Sequence, residues 1–234
     1  ANNKEDAHEE PTIKRSRSHD YVSKEVINVR ENVGLIEVAN FSKHEFKGPD
    51  ARKFLDHIMA GRLPKPGRIS LSPMLSYRGK LCGDLTVACL DENEFMVFGS
   101  GAAQEMHRRW FESHLDKFNL SYSNRSDEYH GLSIAGPNSR KVLEKIVRDD
   151  VSNEKFKFRD SRRMFVGGVP AIINRISFTG ELGYEIYVAP HYQLKLYEEL
   201  MEAGKEFNIK PFGGRALMSM RLEKNWGAWT LDYR

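Results

Sequence analysis

The chain has 234 residues, of which 40% are hydrophobic and 29% are charged, a composition typical of a globular protein long enough to bury a sizeable core. Its 36 basic and 33 acidic residues leave a net charge of +3, and this small balance gives no indication of nucleic-acid binding. No apolar run approaches the roughly 20 residues that a membrane helix needs. The two cysteines lack metal-ligand spacing and make a reducing compartment the default. We expect the cytoplasm if the protein is bacterial and the mitochondrial matrix if it is eukaryotic.

Residues 1–17 are highly charged and poor in apolar side chains, so we predict a linker or lead-in there and one domain over 18–234. The first residues lack the apolar stretch of a signal peptide. The chain has no initiating Met and ends shortly after an aromatic run. We therefore expect both ends to be cuts in a longer protein.

In the first half, helical and strand patterns follow one another. Valines at helical spacing predict an amphipathic helix over 21–33, and Gly48-Pro49-Asp50 interrupts the chain before a second helix. Two strand-like runs around Arg78-Gly79 predict a hairpin with its turn at the glycine. The other predicted elements here are strands over 34–38, 43–47, 69–77, 80–89 and 94–98, and a helix over 102–115.

The second half shows the same mixture. A helix begins at Gly136-Pro137, and Gly167-Gly168 predicts the turn of another hairpin. Because strands and helices are mixed rather than strictly alternating, the predicted class is α+β. The predicted elements are strands over 120–122, 129–134, 164–166, 169–178 and 184–188, and helices over 194–207 and 213–222.

Asp84 stands in an apolar strand, where aspartate is unfavourable. One interpretation is an exposed strand position. The other is a partly buried carboxylate that faces a cavity and stabilises a developing cation. Strand alternation predicts that Asp84, Cys82 and Thr86 share a face, and that Cys82 and Cys89 lie on opposite faces, which argues against a disulfide.

Glu185 lies between Tyr184 and Ile186 in a strand that otherwise resembles core. It follows a tight loop with Gly180 and Gly183, and this loop does not match a phosphate-binding motif because a strand comes next. A carboxylate in this place can accept two parallel hydrogen bonds from an amino-pyrimidinone edge. An exposed strand glutamate is the alternative. The same pattern favours a turn role for Glu181.

Arg215 begins the last predicted helix, where its charge opposes the helix dipole unless a partner is present. That partner could be an anionic ligand or Glu185, or Arg215 could simply be a surface residue. The histidines form no partnered motif, and we find no Ser-His-Asp arrangement, metal cluster or dinucleotide fingerprint. The residues alone thus indicate a pocket protein with a candidate aspartate and a candidate glutamate.

Six motifs, taken in order, resemble the folate-binding aminomethyltransferase family. This family comprises the glycine cleavage T-proteins and the C-terminal parts of dimethylglycine and sarcosine dehydrogenases. The resemblance covers about residues 20–231, and Gly83 and Glu181-Leu182-Gly183 resemble the dehydrogenase branch. The motifs are Gly34-Leu35-Ile36, Gly48-Pro49-Asp50-Ala51, Asp84-Leu85-Thr86-Val87, Gly136-Pro137-Asn138-Ser139-Arg140, Thr179 to Glu185, and Arg215-Ala216 with Arg221-Leu222-Glu223.

The resemblance implies the aminomethyltransferase folate-binding fold, with mixed and antiparallel sheets, flanking helices and the family's C-terminal barrel missing. The implied reaction is one-carbon transfer to tetrahydrofolate, which gives 5,10-methylenetetrahydrofolate. Asp84 would be catalytic: it would orient the folate and favour attack by N5 on an iminium or formaldehyde. Leu71 and Phe178 stand where many members have tyrosine. The implied substrate-binding residues are Glu185, which would hold the pterin, and Phe178, Arg215, Glu181 and Leu71.

The same resemblance places FAD only in an N-terminal flavin domain outside this sequence, which would be the partner of the folate module. No metal is implied. A glycine cleavage T-protein-like aminomethyltransferase is one alternative function. A non-catalytic folate-binding regulatory module is another, although the lysine-glycine-cysteine-tyrosine signature of the iron–sulfur-related members is not found. Direct methyl transfer from a sulfonium compound is the third.

Overall fold

The computed structural model describes residues 13–229 and 231–233, so most of the predicted lead-in, residues 1–12, lies outside the described part. Within that part there are six α-helices, and none of them is both long and apolar enough to span a bilayer. They are α1 (His19–Glu31), α2 (Ala51–Ile58), α3 (Gln104–Glu112), α4 (Ser139–Ile146), α5 (Gln193–Gly204) and α6 (Gly214–Glu223).

Eleven strands of the described residues form two sheets, in which only the pairing of β1 with β11 is parallel. The six-stranded sheet has the order β11-β1-β7-β10-β9-β8, and the five-stranded sheet has the order β3-β4-β5-β2-β6. The strands are β1 (Val33–Glu37), β2 (Phe41–Lys47), β3 (Arg68–Leu75), β4 (Leu81–Asp91), β5 (Glu94–Ser100), β6 (Ser121–Asn124), β7 (His130–Ala135), β8 (Ser161–Val166), β9 (Val169–Asn174), β10 (Gly183–Val188) and β11 (Ile209–Pro211).

The predicted α+β class with mixed and antiparallel sheets and flanking helices is confirmed. Most element boundaries differ from the predicted ones by one to three residues. The two hairpin turns lie where glycine was expected, and Gly79 and Gly168 have φ of 70° and 80°, values that side chains rarely adopt. The predicted strand over 169–178 ends earlier, at Asn174, and the short β11 has no counterpart among the predicted strands.

Each sheet carries helices on one face and packs against the other sheet with its second face. Helices α4 and α5 cover the six-stranded sheet through a core that includes Leu143 and Leu200, whereas α2 and α3 cover the five-stranded sheet through Phe54 and Phe111. Side chains of both sheets form a third apolar cluster between them, where the rings of Phe98 and Tyr187 lie 4.5 Å apart. The architecture is therefore helices, sheet, sheet, helices.

A β-bulge interrupts β4 near its start. Met74 pairs with Gly83 and Leu75 pairs with Leu81, so Cys82 is an extra residue without a partner on β3. An extra residue shifts the alternation of side chains along a strand. Cys82 consequently packs beside the same apolar cluster as Cys89, so the prediction of opposite faces for the two cysteines is wrong. The prediction that Cys82 shares a face with Asp84 and Thr86 is wrong for the same reason. Both thiols are free, as expected.

Candidate functional site

A cavity of about 480 Å³ lies where both sheets and the segment after α6 meet. Its walls come from β3, β4 and β5 of the five-stranded sheet, from β10 and the loop before it, and from the chain beyond α6. The lining residues are Asn40, Phe41, Leu71, Asp84, Thr86, Phe98 to Ala102, Ile176 to Phe178, Glu185, Lys224 and Trp226 to Trp229.

Strand alternation directs Asp84 to this cavity. Asp84 and Thr86 line it, while Leu85 and Val87 point from the other face of β4 into the core beneath α2 and α3. The Asp84 side chain is half-buried. Burial raises the pKa of its carboxyl group, and no charged neighbour in the described part of the chain offsets that shift. The site thus holds a carboxylate whose negative charge is available to a cationic partner.

Glu185 reaches the same cavity from β10. This strand lies inside the six-stranded sheet, and Glu185 pairs with Ser133 on one side and with Asn174 on the other. The Tyr187 hydroxyl donates a hydrogen bond of 2.9 Å to Oε2 of Glu185. Burial raises the pKa of Glu185 to about 7, although the hydrogen bond from Tyr187 acts in the opposite direction. Glu185 is accordingly a fixed carboxylate that is only partly ionised at neutral pH.

The remaining walls are largely apolar and aromatic. Leu71 and Phe178, which were predicted as binding residues, both line the cavity, together with Phe41, Phe98 and Trp226. Rings of this kind can stack on a flat heterocycle, and two carboxylates at fixed positions can read its polar edge. Four of the six predicted site residues therefore meet in one place.

The chain beyond α6 forms one side of the cavity and is held by charged groups. The buried Arg221 donates from Nη1 to the carbonyl of Trp226 at 2.8 Å and to Oδ2 of Asp232 at 2.6 Å. Lys224 donates from Nζ to the carbonyl of Ser177 at 2.9 Å. Neither Lys224 nor the tryptophans were identified as site residues. The sequence does contain a signal for the tryptophans as site residues, since Trp226 and Trp229 follow shortly after the Arg221-Leu222-Glu223 motif.

Glu181 and Arg215 are not among the residues that line this cavity. Oε1 of Glu181 accepts a hydrogen bond of 2.7 Å from Arg30, which also contacts Glu223 at 2.6 Å. Glu181 lines a smaller neighbouring cavity of about 340 Å³, which shares Lys224 with the main one. Arg215 lies in the first turn of α6. The binding roles of Glu181 and Arg215 stay predictions.

Two buried basic residues near the site were not singled out from the sequence. Lys43 of β2 has its amine 6.0 Å from the centre of the Tyr187 ring and donates to the carbonyl of Ala39 at 2.6 Å. Burial lowers the pKa of Lys43 to about 8. His44 accepts or donates at 2.9 Å with the Tyr122 hydroxyl, and burial lowers its pKa to about 3, so it is neutral. Lys43 thus lies beside the tyrosine that donates to Glu185, whereas His44 packs against Phe111 of α3.

The described residues contain no group of three or more His, Cys, Asp and Glu side chains that could hold a metal ion. The chemistry available in the cavity is that of two carboxylates and the Lys224 amine in a largely apolar, aromatic setting. One carboxylate can accept hydrogen bonds from a flat N–H-bearing ligand, and the other can stabilise a positive charge.

Residues 4–234 match the family model described as "GCVT N-terminal domain". Mitochondrial dimethylglycine dehydrogenase of Mus musculus is 36% identical over 228 residues, which are 96% of this chain and 26% of that protein. An aminomethyltransferase of Halothermothrix orenii is 31% identical over 206 residues, which are 87% of this chain and 57% of that protein. The chain thus spans about a quarter of the first relative and somewhat more than half of the second.

The fold has a counterpart of known structure. The crystal structure of glycine cleavage system aminomethyltransferase T from Bartonella henselae matches with a TM-score of 0.78 at 23% identity. The match covers 88% of this chain and 55% of that chain. At this level of identity the match establishes the shared fold, and it agrees with the two-sheet arrangement described above.

Proposed function

Because this chain belongs to the GCVT N-terminal domain family, an aminomethyltransferase-type fold, we propose that it transfers a one-carbon unit to tetrahydrofolate and so forms 5,10-methylenetetrahydrofolate. The protein that carries it would be a dimethylglycine or sarcosine dehydrogenase-like enzyme. Its FAD and the oxidation of the methylated amine would belong to a separate N-terminal domain. The observation that carries the proposal is the meeting of Asp84 and Glu185 in a single aromatic-walled cavity.

The residues that line the cavity support the pterin end of tetrahydrofolate as its ligand. A pterin is flat, and it presents adjacent N–H donors on one edge. Glu185 offers a carboxylate that can accept two such hydrogen bonds, and its position is fixed by Tyr187 and by strands on both sides. Phe178 and Leu71 lie on the walls beside it and would cover the faces of the ring. When bound, tetrahydrofolate would supply the nucleophilic nitrogens that take up the one-carbon unit.

Asp84 would act on the charge that develops during transfer. Its half-buried carboxylate is one that water screens poorly, and its charge is not offset by a cation within the described residues. A fixed anion in such surroundings stabilises a nearby cation far more than it would in water. Asp84 would thereby orient the reacting groups and lower the barrier to bond formation between them.

The segment after α6 would limit the access of water. Trp226 and Trp229 line the cavity from this segment, and Arg221 and Lys224 hold it in place through carbonyl contacts. An activated one-carbon group hydrolyses to free formaldehyde when water reaches it, so a closed site favours transfer. Lys224 also borders the neighbouring cavity, toward which the anionic tail of the folate would extend.

A glycine cleavage T-protein-like aminomethyltransferase is the second candidate. The observation that favours it is the 31% identity with an aminomethyltransferase. In that case the one-carbon unit would arrive on a carrier protein rather than from a flavin domain. The cytoplasm and the mitochondrial matrix are the proposed locations, the matrix because a relative at 36% identity carries a mitochondrial name.

The test is a product analysis with the intact protein. Dimethylglycine or sarcosine is oxidised with and without tetrahydrofolate, and free formaldehyde and 5,10-methylenetetrahydrofolate are both measured. We expect tetrahydrofolate to divert most of the one-carbon unit from formaldehyde into the methylene product. A formaldehyde yield equal to the amine consumed at every tetrahydrofolate concentration would contradict the proposal. Tetrahydrofolate binding without any product would indicate the non-catalytic folate module instead.

A further inference from the structure

We infer that His107 is a positioning residue for Asp84, because it holds the bulged residue Cys82, two positions before Asp84, and packs against Gly83, the residue between them. This inference rests on the proposed function in so far as Asp84 is taken as catalytic. The claim that His107 positions this part of β4 depends only on the contacts between β4, α3 and the segment after α6.

The stretch of β4 that carries Asp84 has ladder support on one side only. It pairs with β3, where the residue opposite Asp84 is Pro73, which has no N–H to donate. Pairing with β5 begins only at Thr86. The bulge at Cys82 weakens the ladder further, because a bulged residue has no partner on the neighbouring strand. Ladder pairing alone therefore holds this stretch less firmly than the part of β4 from Thr86 to Cys89, which is paired on both sides.

His107 supplies the missing partner. Its side chain is fully buried in α3, and Nε2 lies 3.1 Å from the carbonyl oxygen of Cys82. A carbonyl can only accept, so Nε2 carries the hydrogen and Nδ1 carries the lone pair. Burial lowers the pKa of His107, which keeps the ring in this neutral form. The hydrogen bond thus fastens the bulged residue, two positions before Asp84, to the helix.

Close contacts on two strands fix the ring in its place. A Cβ atom added to Gly83 would lie 2.8 Å from Nε2 of His107, and one added to Gly99 would lie 3.1 Å from Nδ1. The Trp229 ring stacks on the imidazole with centres 5.6 Å apart and planes at 24°. The imidazole therefore fills the space left by two glycines, and it joins β4 to the segment that closes the cavity.

This arrangement explains how a strand segment with pairing on one side only can hold a reactive carboxylate in place. A misplacement of about 1 Å at a reacting group can cost about a hundredfold in rate. Loss of the His107 hydrogen bond should accordingly lower the rate of transfer while it leaves the Glu185 side of the cavity, and with it folate affinity, nearly unchanged.

Two variants of equal side-chain length test the inference in the intact protein. His107→Gln keeps an N–H donor near the place of Nε2, whereas His107→Met does not, and both lose the stacking on Trp229. For His107→Met we expect kcat for methylene transfer to fall by roughly tenfold or more, with KM for tetrahydrofolate within about twofold. His107→Gln should recover most of that loss. Equal kcat values in the two variants would overturn the inference.

Gly83→Ala provides an independent test, which also applies if the Met variant fails to fold. The added methyl group should displace His107 and reproduce the loss of kcat. In a His107→Ala background the same substitution should cost much less, because the contacting ring is gone. Additive effects of the two substitutions would contradict the inference.

Crystal structures separate this inference from the proposed function. If the wild-type protein transfers no one-carbon unit, the proposed function fails, and the inference is then judged on coordinates alone. The His107→Met structure should show residues 81–84 displaced from their wild-type positions, and the His107→Gln structure should not. An unchanged bulge in His107→Met would show that β4 holds Asp84 without help from His107.

Discussion

The two carboxylates of the cavity lie on strands that are held in different ways. Glu185 stands inside the six-stranded sheet, with β7 and β9 paired on its two sides and a hydrogen bond from Tyr187 on its carboxylate. Asp84 lies near the start of β4, opposite Pro73 of β3 and two residues after the bulge at Cys82. It precedes Thr86, the residue at which the pairing with β5 begins. One carboxylate is fixed by the sheet itself, and the other depends on a side chain from a helix.

Under the proposed function, this difference would separate recognition by Glu185 from reaction at Asp84. A carboxylate that must read the edge of a flat ligand benefits from a rigid position, since affinity is lost when the site has to be organised on binding. For a carboxylate that stabilises the charge of a reacting centre, the position of the side chain can be adjusted through the groups that hold its strand. We therefore expect substitutions at Glu185 to change mainly affinity, and substitutions at Asp84 to change mainly rate.

The largest expected effect belongs to Asp84→Asn. The variant keeps the shape of the side chain and removes its charge, so kcat for methylene transfer should fall roughly 10²- to 10³-fold, the range seen for the loss of a preorganised electrostatic contact. Steady-state kinetics with tetrahydrofolate should give a KM within about threefold of the wild type. Asp91→Asn, at the exposed end of the same strand, is the matched control and should be neutral. A normal kcat in Asp84→Asn would show that Asp84 has no catalytic role.

Glu185→Gln should weaken tetrahydrofolate binding by about a hundredfold. The amide replaces one acceptor with a donor and removes the charge that strengthens both hydrogen bonds to the ligand. Isothermal titration measures this directly, and Glu202→Gln on the exposed face of α5 serves as control. Unchanged affinity in Glu185→Gln would end the assignment of Glu185 as the pterin anchor.

The same substitution should stabilise the unliganded protein at high pH. Folding raises the pKa of Glu185 from an ordinary value to about 7, so the folded state binds the proton more tightly than the unfolded chain. Stability then falls as pH rises from about 4.5 to about 7, and the full penalty is present above pH 7. At pH 8 Glu185→Gln should raise the free energy of unfolding by about 2 kcal/mol in urea denaturation. The gain should vanish near pH 4.5; a gain that is the same at both pH values would contradict this reading.

Binding itself should depend on pH through Glu185. In the proposed role of Glu185 the pterin edge requires the ionised carboxylate, and with a pKa of about 7 the ionised fraction grows about tenfold between pH 6 and pH 8. Tetrahydrofolate affinity should therefore increase by up to about tenfold over that interval. The dependence should be flat in Glu185→Gln, and an equal slope in both proteins would assign the titration to another group.

The smallest effect is expected outside the cavity. Glu181 pairs with Arg30 in a partly exposed position, and pairs of this kind contribute about 0 to 1 kcal/mol. Glu181→Gln should lower the free energy of unfolding by no more than that amount. If it also left tetrahydrofolate affinity unchanged, Glu181 would be a loop residue rather than a ligand contact.

Local patterns predicted much of this molecule. The hairpins at Gly79 and Gly167-Gly168 and the helix at His19–Glu31 follow from turn chemistry and periodicity. Asp84 and Glu185 were noticeable because charged residues are unusual in apolar strands. Each of these patterns is contained within a few neighbouring residues, so it can be recognised without knowledge of the rest of the fold.

Other features depend on contacts between distant segments. The bulge at Cys82 exists only relative to β3, and its consequence for Cys82 could not be read from alternation along β4. Trp229 lines the cavity and stacks on His107, which lies more than a hundred positions earlier in the chain. His107 itself lay in an ordinary amphipathic pattern. Its role depends on the space left by Gly83 and Gly99, which only the folded structure reveals.

The roles proposed for Glu185 and Asp84 are tested most directly by a crystal structure of the protein with tetrahydrofolate bound. We predict that the pterin edge donates two hydrogen bonds to the Glu185 carboxylate, and that Asp84 lies within contact distance of the reactive nitrogens, about 3 to 4 Å. Both carboxylates would then contact one ligand, each in its own role. A folate found outside the cavity, or one whose pterin contacts neither Glu185 nor Asp84, would contradict the roles proposed for these two residues.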